Sequence, residues 1–445
     1  MLTKITKENV SMIENDSFRN YAQIFAEIEE NTIESIKSFG LSLEQNNGET
    51  KNERLARLRK KQATFRNNDK SIVINQLSSA CEACQTGTGS YTSFVTLNCH
   101  RDCYFCFNKN QEDYTFYLHH QKDANEELAY LIESGYVLKH LALTGGEPLL
   151  FKAETISFFQ LAQEISPNTY TRLYTAGDLL TEDILQQLQK ADLDEIRISI
   201  KMEDSIKRRQ RVLKKLELAQ KYIPHVLVEM PVIPGTRQEM KDLLLALDEM
   251  GIFGINLLEF CFPLVNSRSF SEKGFTLKNP PYDIYYNYWY AGGLAVAESE
   301  DLCLELVEFA IDKELSLGVH YCSLENKFTG QIYQQNYSQP MNDTYHFSTR
   351  DYFYKTAKAF GQDKENVRDQ LNRIGEPFII DNDDDFIQFP VRAIPFLKPN
   401  DIELAIVSSV IEARMNEELV REVGVDWTTP SLFEQTDIDS VEGER

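Results

Sequence analysis

Between about residue 91 and residue 260 the chain alternates short β-branched runs with amphipathic stretches, and this alternation limits the fold more than any other feature. The runs are SFVTLN (93–98), HLALT (140–144), TRLYT (171–175), EIRISI (195–200), HVLVEMPV (225–232) and GINLLEF (254–260). Between them lie NEELAYLIES, ETISFFQLAQEI, EDILQQLQKA, SIKRRQRVLKKLELAQKY and RQEMKDLLLALDEM. Each carries apolar residues at three- and four-residue intervals, as a helix covering one sheet face requires. Such βα repeats predict a parallel sheet with right-handed crossovers. An open doubly wound sheet and a partial barrel both satisfy the pattern. In either, the chemistry belongs at the carboxyl ends of the strands.

The loop after the first run reads VTLNCHRDCYFCFN and places Cys99, Cys103 and Cys106 in the spacing CxxxCxxC. In a chain of 445 residues with a polar start, MLTKITKENVSMIEN, clustered thiols point to metal rather than to a disulfide framework. Soft thiolates suit zinc or an iron–sulfur cluster. A structural zinc site takes four ligands, and this loop offers no fourth at finger-like spacing; His100 is adjacent to Cys99 and an awkward partner for the same ion. Three thiolates on a cubane cluster leave one iron open.

CxxxCxxC with an aromatic residue, Phe105, before its last cysteine resembles the signature of the radical S-adenosylmethionine (SAM) superfamily. The likeness covers roughly residues 91–262. It extends to LTGGEPLL, where Gly145, Gly146, Glu147 and Pro148 follow the second run. In that family the motif contacts the amino group of SAM; glycines admit the ligand to the backbone and Glu147 is expected to pair with the ammonium. Weaker matches are YTAGD (174–178), Ser199 and Lys201 in RISIK, and VEMPVIPG (228–235), with Ser199 taken as a ribose contact. The resemblance implies an α/β fold: a partial (β/α)6 TIM-type barrel with an N-terminal helical extension and a C-terminal α+β extension. It also implies a [4Fe–4S] cluster with an open iron, SAM bound there, and reductive cleavage to a 5′-deoxyadenosyl radical that abstracts hydrogen from a substrate. The electron would come from a reductant such as flavodoxin or ferredoxin.

Cys81 and Cys84 form a CxxC ahead of the first run. With Cys322 they are expected to hold a second [4Fe–4S] cluster, and Cys261 is a further candidate ligand. Cys303, among Leu302, Leu304 and Leu306, reads as packing. No catalytic residue is assigned; Cys261, Cys322, Tyr321 and His320 are the candidates. The expected division is 1–75 helical extension, 76–265 core, 266–330 post-barrel segment, 331–430 a small α+β unit with a final helix near residues 402–423, and 431–445 a disordered acidic tail.

A formal charge of −23 disfavours a nucleic-acid partner. The basic stretch around Arg54–Arg66 reads as a solvated helix face; the one around Lys207–Lys215 reads as a helix shielding the outside of the barrel, with a transfer RNA substrate the disfavoured alternative. No run is long enough to span a membrane, and a cytoplasmic location is expected. The substrate expected is a peptide or protein. The competing readings are a small molecule or lipid, activation of a glycyl-radical partner, and a non-catalytic iron–sulfur sensor or electron carrier. Against the last stands GGEP, which a sensor does not need.

Overall fold

The computed structural model describes residues 1–45, 51–287, 292–414 and 417–440. Two compact units divide the chain. One is Gly40–Pro281 with Trp289–Lys327; the other joins Met1–Phe39, Tyr282–Tyr288 and Phe328–Arg445.

The first unit is built on a nine-stranded sheet. Its strands are β1 (Thr64–Arg66), β2 (Ser71–Ile74), β3 (Ser90–Phe94), β4 (His140–Thr144), β5 (Tyr170–Thr175), β6 (Glu195–Ile198), β7 (His225–Val232), β8 (Gly254–Glu259) and β9 (Gly318–Cys322). They run in the order β1-β2-β9-β8-β7-β6-β5-β4-β3. Strands β3 to β9 are parallel, and β2 and β1 close the series antiparallel. The crossover helices include α2 (Ala124–Glu133), α3 (Lys152–Ile165), α4 (Glu182–Lys190), α5 (Ile206–Ala219), α6 (Arg237–Glu249) and α7 (Ser299–Asp312), while the short α1 (Ser79–Cys84) joins β2 to β3. This is the expected α/β partial barrel, widened by β9 and by two strands from the segment read as helical extension.

Alternation along each strand sorts the two faces. Leu141, Leu143, Leu173, Ile196, Ile198, Val228, Ile255, Leu257 and Val319 face the helices, where Phe158, Phe159, Leu185, Leu216 and Leu244 cover them. The other face is polar: Tyr170, Arg172, Tyr174, Glu195, Arg197, Glu229, Asn256 and His320 belong to it by the same alternation. The basic stretch at 51–61 is not merely solvated, because Arg57 and Lys61 pair with Glu308 of α7 at 3.3 and 3.0 Å.

The second unit is an antiparallel sheet. Strands β10 (His346–Phe347), β11 (Tyr354–Phe360), β12 (Ile379–Asp381), β13 (Phe386–Phe389), β14 (Leu404–Arg414) and β15 (Glu417–Thr428) are joined by Thr3–Lys4, which pairs with β15. Helices Asp16–Ser38 and α8 (Asp363–Ile374) cover it. Three expectations are corrected here. Residues 1–39 do not form an extension with 40–75; Phe18 is fully buried and stacks on Phe360 at 4.9 Å. The helix expected near 402–423 is the paired strands β14 and β15: Leu404–Ile411 is buried on both faces, so its apolar run lacks the period-two signal and imitates a helix. The tail is ordered through residue 440, with Ile438 buried and Asp439 paired with His346 at 2.9 Å; residues 441–445 lie outside the described residues.

Candidate active site

The thiol loop leaves β3 and is stitched to the turn after β4. Thr96 accepts from the Gly146 N–H and Asn98 from the Glu147 N–H, both at 2.8 Å. A Cβ on Gly146 would stand 2.0 Å from the Asn98 carbonyl oxygen, and one on Gly145, whose φ is +109°, 2.5 Å from the Thr96 oxygen. Backbone meets backbone here, so only glycine fits. Asn108 completes the seam by donating to the Gly145 carbonyl.

Cys99, Cys103 and Cys106 are partly buried on this loop. Burial pushes the Cys99 and Cys106 thiols up, Cys103 adds to the effect on both, and the Lys201 ammonium opposes it. Among the described residues no three His, Cys, Asp or Glu side chains are gathered closely enough to hold a metal ion, so these thiols share a loop without converging. The donor set nevertheless has the right chemistry for an iron–sulfur cluster: three soft thiols with a cation beside two of them. Phe105 fixes the loop from behind, edge-on to Phe260 at 5.6 Å, with Tyr104 edge-on to Phe270 at 5.0 Å.

Glu147 is the chief departure from expectation. Its carboxylate is fully buried and accepts from Leu149 N at 3.2 Å, Thr175 Oγ1 at 2.7 Å and Ala176 N at 2.8 Å. It ties the β4 turn to the end of β5 instead of presenting a carboxylate for an ammonium. Burial pushes its pKa up, against those three donors. Pro148 is buried and opens the single 3₁₀ turn that follows. Ser199 is half-buried just after β6, its N–H held by the Thr175 carbonyl at 3.1 Å.

Sequence reading missed Arg101. Between two of the thiols, its side chain is 4% exposed and bonds Asp178 at 2.7 Å and both oxygens of Asp204 at 2.9 Å. His100 also reaches Asp178, at 2.9 Å. The two aspartates follow β5 and β6, so the loop is clamped across two strand ends. The signal available was a charged residue at each loop after a strand, but sequence alone does not say which charges meet.

The other cysteines separate. Cys81 accepts from Arg197 Nη2 at 3.2 Å and Asn256 Nδ2 at 3.4 Å, and Cys322 accepts from Asn326 Nδ2 at 3.4 Å. Cys84 is exposed. Cys81, Cys84 and Cys322 act on one another electrostatically. Cys261 answers instead to Lys327 and Glu259, and burial pushes it up to about 12. Cys303 is buried in the helix-facing core. Tyr321 also turns to that layer, where its hydroxyl donates to Glu300 at 2.8 Å, which removes it from the catalytic candidates.

Residues 93–247 match the model of the Radical SAM superfamily. The chain carries a radical SAM domain, and it is an enzyme of the radical SAM type. The domain implies a [4Fe–4S] cluster and SAM as cofactors. A Methanocaldococcus jannaschii protein, provisionally named a glycyl-radical enzyme activating enzyme, is 27% identical over 354 residues, covering 76% of this chain and 82% of that one. Among solved structures, SuiB of Streptococcus suis bound to the precursor peptide SuiA overlays with TM-score 0.39 at 14% identity, covering 73% of this chain and 67% of that one. The enzyme anSMEcpe with AdoMet and the Cp18Cys peptide gives 0.36 at 14%, covering 58% and 69%. Among the described residues of this radical SAM enzyme no helix is long and apolar enough to cross a membrane.

Proposed function

We propose that this radical SAM enzyme abstracts a hydrogen atom from a polypeptide, and that Cys99, Cys103 and Cys106 draw together to hold its [4Fe–4S] cluster. The observation that supports the reading is the seam between the thiol loop and the Gly145–Pro148 turn, which pins the loop bearing the three thiols, backbone to backbone, against that turn at the strand ends. When bound, the cluster and SAM supply a 5′-deoxyadenosyl radical. Gly145 and Gly146 let the turn close on the thiol loop, Glu147 locks that turn to β5, Phe105 braces the loop, and Ser199 would offer its hydroxyl to the ribose of SAM. Lys201 favours the thiolate form of Cys99 and Cys106. The electron comes from a small reductant protein such as flavodoxin or ferredoxin.

The polypeptide class rests on the relative's name, since an enzyme that activates a glycyl-radical enzyme removes hydrogen from a protein backbone. In this reading Cys81, Cys84 and Cys322 hold a second [4Fe–4S] cluster, supported by their mutual electrostatic reach, and Cys261 stands outside it. Anaerobic incubation of reconstituted protein with SAM and dithionite should yield 5′-deoxyadenosine; none, with the cluster intact, rejects the reading. Deuterium should enter that product from host proteins labelled at glycine Cα, and turnover without transfer points to a small molecule. Wild-type protein should bind about eight irons and the Cys81→Ala/Cys84→Ala double variant about four. An unchanged count removes the second cluster.

A further inference from the structure

The polar face of the barrel sheet contains a cation without a counter-charge. Arg172 of β5 is 7% exposed, and its Nε and Nη1 have no hydrogen-bond partner. It forms no ion pair among the described residues. Its cross-strand neighbour Glu195 is already taken, bonding Arg197 Nε at 2.5 Å and Tyr170 at 2.9 Å. Glu229 is likewise held by Arg197 and by Asn256, at 2.5 and 2.7 Å. The Tyr174 ring lies 6.0 Å from the guanidinium, the outer limit of a cation–π contact, and is shared with Arg197 at 5.4 Å.

A second unpaired group stands close by. His140, at the start of β4, has Nδ1 buried without a partner, while its Nε2 meets Ser79 Oγ at 3.2 Å. The Arg172 charge reaches this imidazole and, after burial, is the main influence that lowers its pKa. In the tautomer in which Ser79 Oγ donates to Nε2, Nδ1 carries the proton and is another donor. An isolated buried charge costs several kcal/mol unless something pairs with it, and a forked guanidinium matches a planar oxyanion.

We propose that Arg172 and His140 form an anion site inside the barrel sheet, whose ligand is a carboxylate. Arg172 lies three residues before the end of β5, about 10 Å below the strand ends that carry the thiol loop, so this site is separate from the SAM site. The surrounding layer of His140, Tyr170 and His225 is only partly buried, which leaves a way in from the amino ends of the strands. The carboxylate is either a free small acid or one borne by a polypeptide.

The test is calorimetric titration of the full-length, cluster-loaded protein with formate, with acetate, and with one short peptide made as the free C-terminal acid and as the amide. Wild type should bind formate or acetate saturably, and Arg172→Met should weaken this at least about tenfold, with the surface control Arg373→Met unchanged. Binding of the acid peptide but not its amide assigns the polypeptide source; binding of the small acids alone assigns the free one. Arg172→Met should also melt above wild type without added anion, because it removes an uncompensated charge, and its melting point should ignore formate. No saturable binding by wild type, or equal binding by Arg172→Met, overturns the site. No SAM turnover is measured, so failure here leaves the hydrogen-abstraction reading standing, and the reverse holds too.

Discussion

Glu147 shows how much a single carboxylate can do without touching a ligand. Both its oxygens are used by donors from its own turn and from the end of β5. Glu147→Gln keeps the shape but sets an amide NH₂ against the N–H of Leu149 or Ala176, or against the Thr175 hydroxyl. The cost should be about 1–3 kcal/mol, read from urea unfolding, because a buried donor loses its partner. Equal stability would return Glu147 to the role of a ligand contact. The sequence displayed this residue inside its motif, yet the pairing was illegible, because Thr175 and Ala176 lie 28 and 29 positions away. His320 makes the pH argument. Its Nδ1 faces Asn256 Oδ1 at 3.0 Å, its Nε2 faces Ser71 Oγ at 2.9 Å, and burial pushes its pKa from 6.5 down to about 3. The folded chain therefore binds fewer protons than the unfolded one between those values, so the contribution is complete above pH 6.5 and drains as pH falls toward 3. Wild type should lose stability between about pH 7 and about pH 5, and His320→Gln should lose less of it, measured as urea midpoints.

At the scale of elements, the site is a seam between the segments that follow β3 and β4, drawn against β5 and β6 by Glu147 and Arg101. Gly146→Ala puts a methyl group where the Asn98 carbonyl stands, 2.0 Å away. Neither partner is a flexible side chain, so the thiol loop must shift. The expected loss is about 1–3 kcal/mol together with reduced iron content after reconstitution; unchanged iron loading would show that the loop does not need this seam. Arg101→Gln takes the buried guanidinium from both Asp178 and Asp204, and among the described residues leaves them ion pairs with His100 at 2.9 Å and with Arg208 at 3.7 and 4.0 Å. It should cost about 3 kcal/mol, with Arg101→Lys recovering part, because breaking a buried pair strands the remaining charge. The strands and helices from β3 to β8 were legible because each presents one apolar face to one layer. Strand β14 was not: residues such as Ala405, Ile406, Val407 and Val410 are buried whichever face they point to, and the alternation that marks a strand disappears.

At the scale of the whole molecule, the chain returns to its own beginning. Helix Asp16–Ser38 starts with Asn15 accepting from Phe18 N at 3.1 Å, and buries Phe18, Ala22 and Ala26 among Phe360, Phe386 and Val407. No local pattern could announce this, since the amphipathic stripe at 18–36 says only that something covers it, not that the partner lies more than 300 residues on. The two compact units then have separate cores, one of barrel strands and crossover helices, the other of antiparallel strands and Asp16–Ser38. Removing part of one core should be felt there. Phe18→Ala deletes a fully buried ring stacked at 4.9 Å on Phe360, a change that typically costs about 3–5 kcal/mol. Scanning calorimetry should show the unfolding step of the unit holding residues 328–440 moving to lower temperature, while a Trp-free reporter placed on the barrel strands follows its own step. A Phe18→Leu variant, which refills most of the volume, should restore much of the loss. If Phe18→Ala leaves the melting profile unchanged, the N-terminal helix contributes nothing to the C-terminal sheet and residues 1–39 are an extension after all.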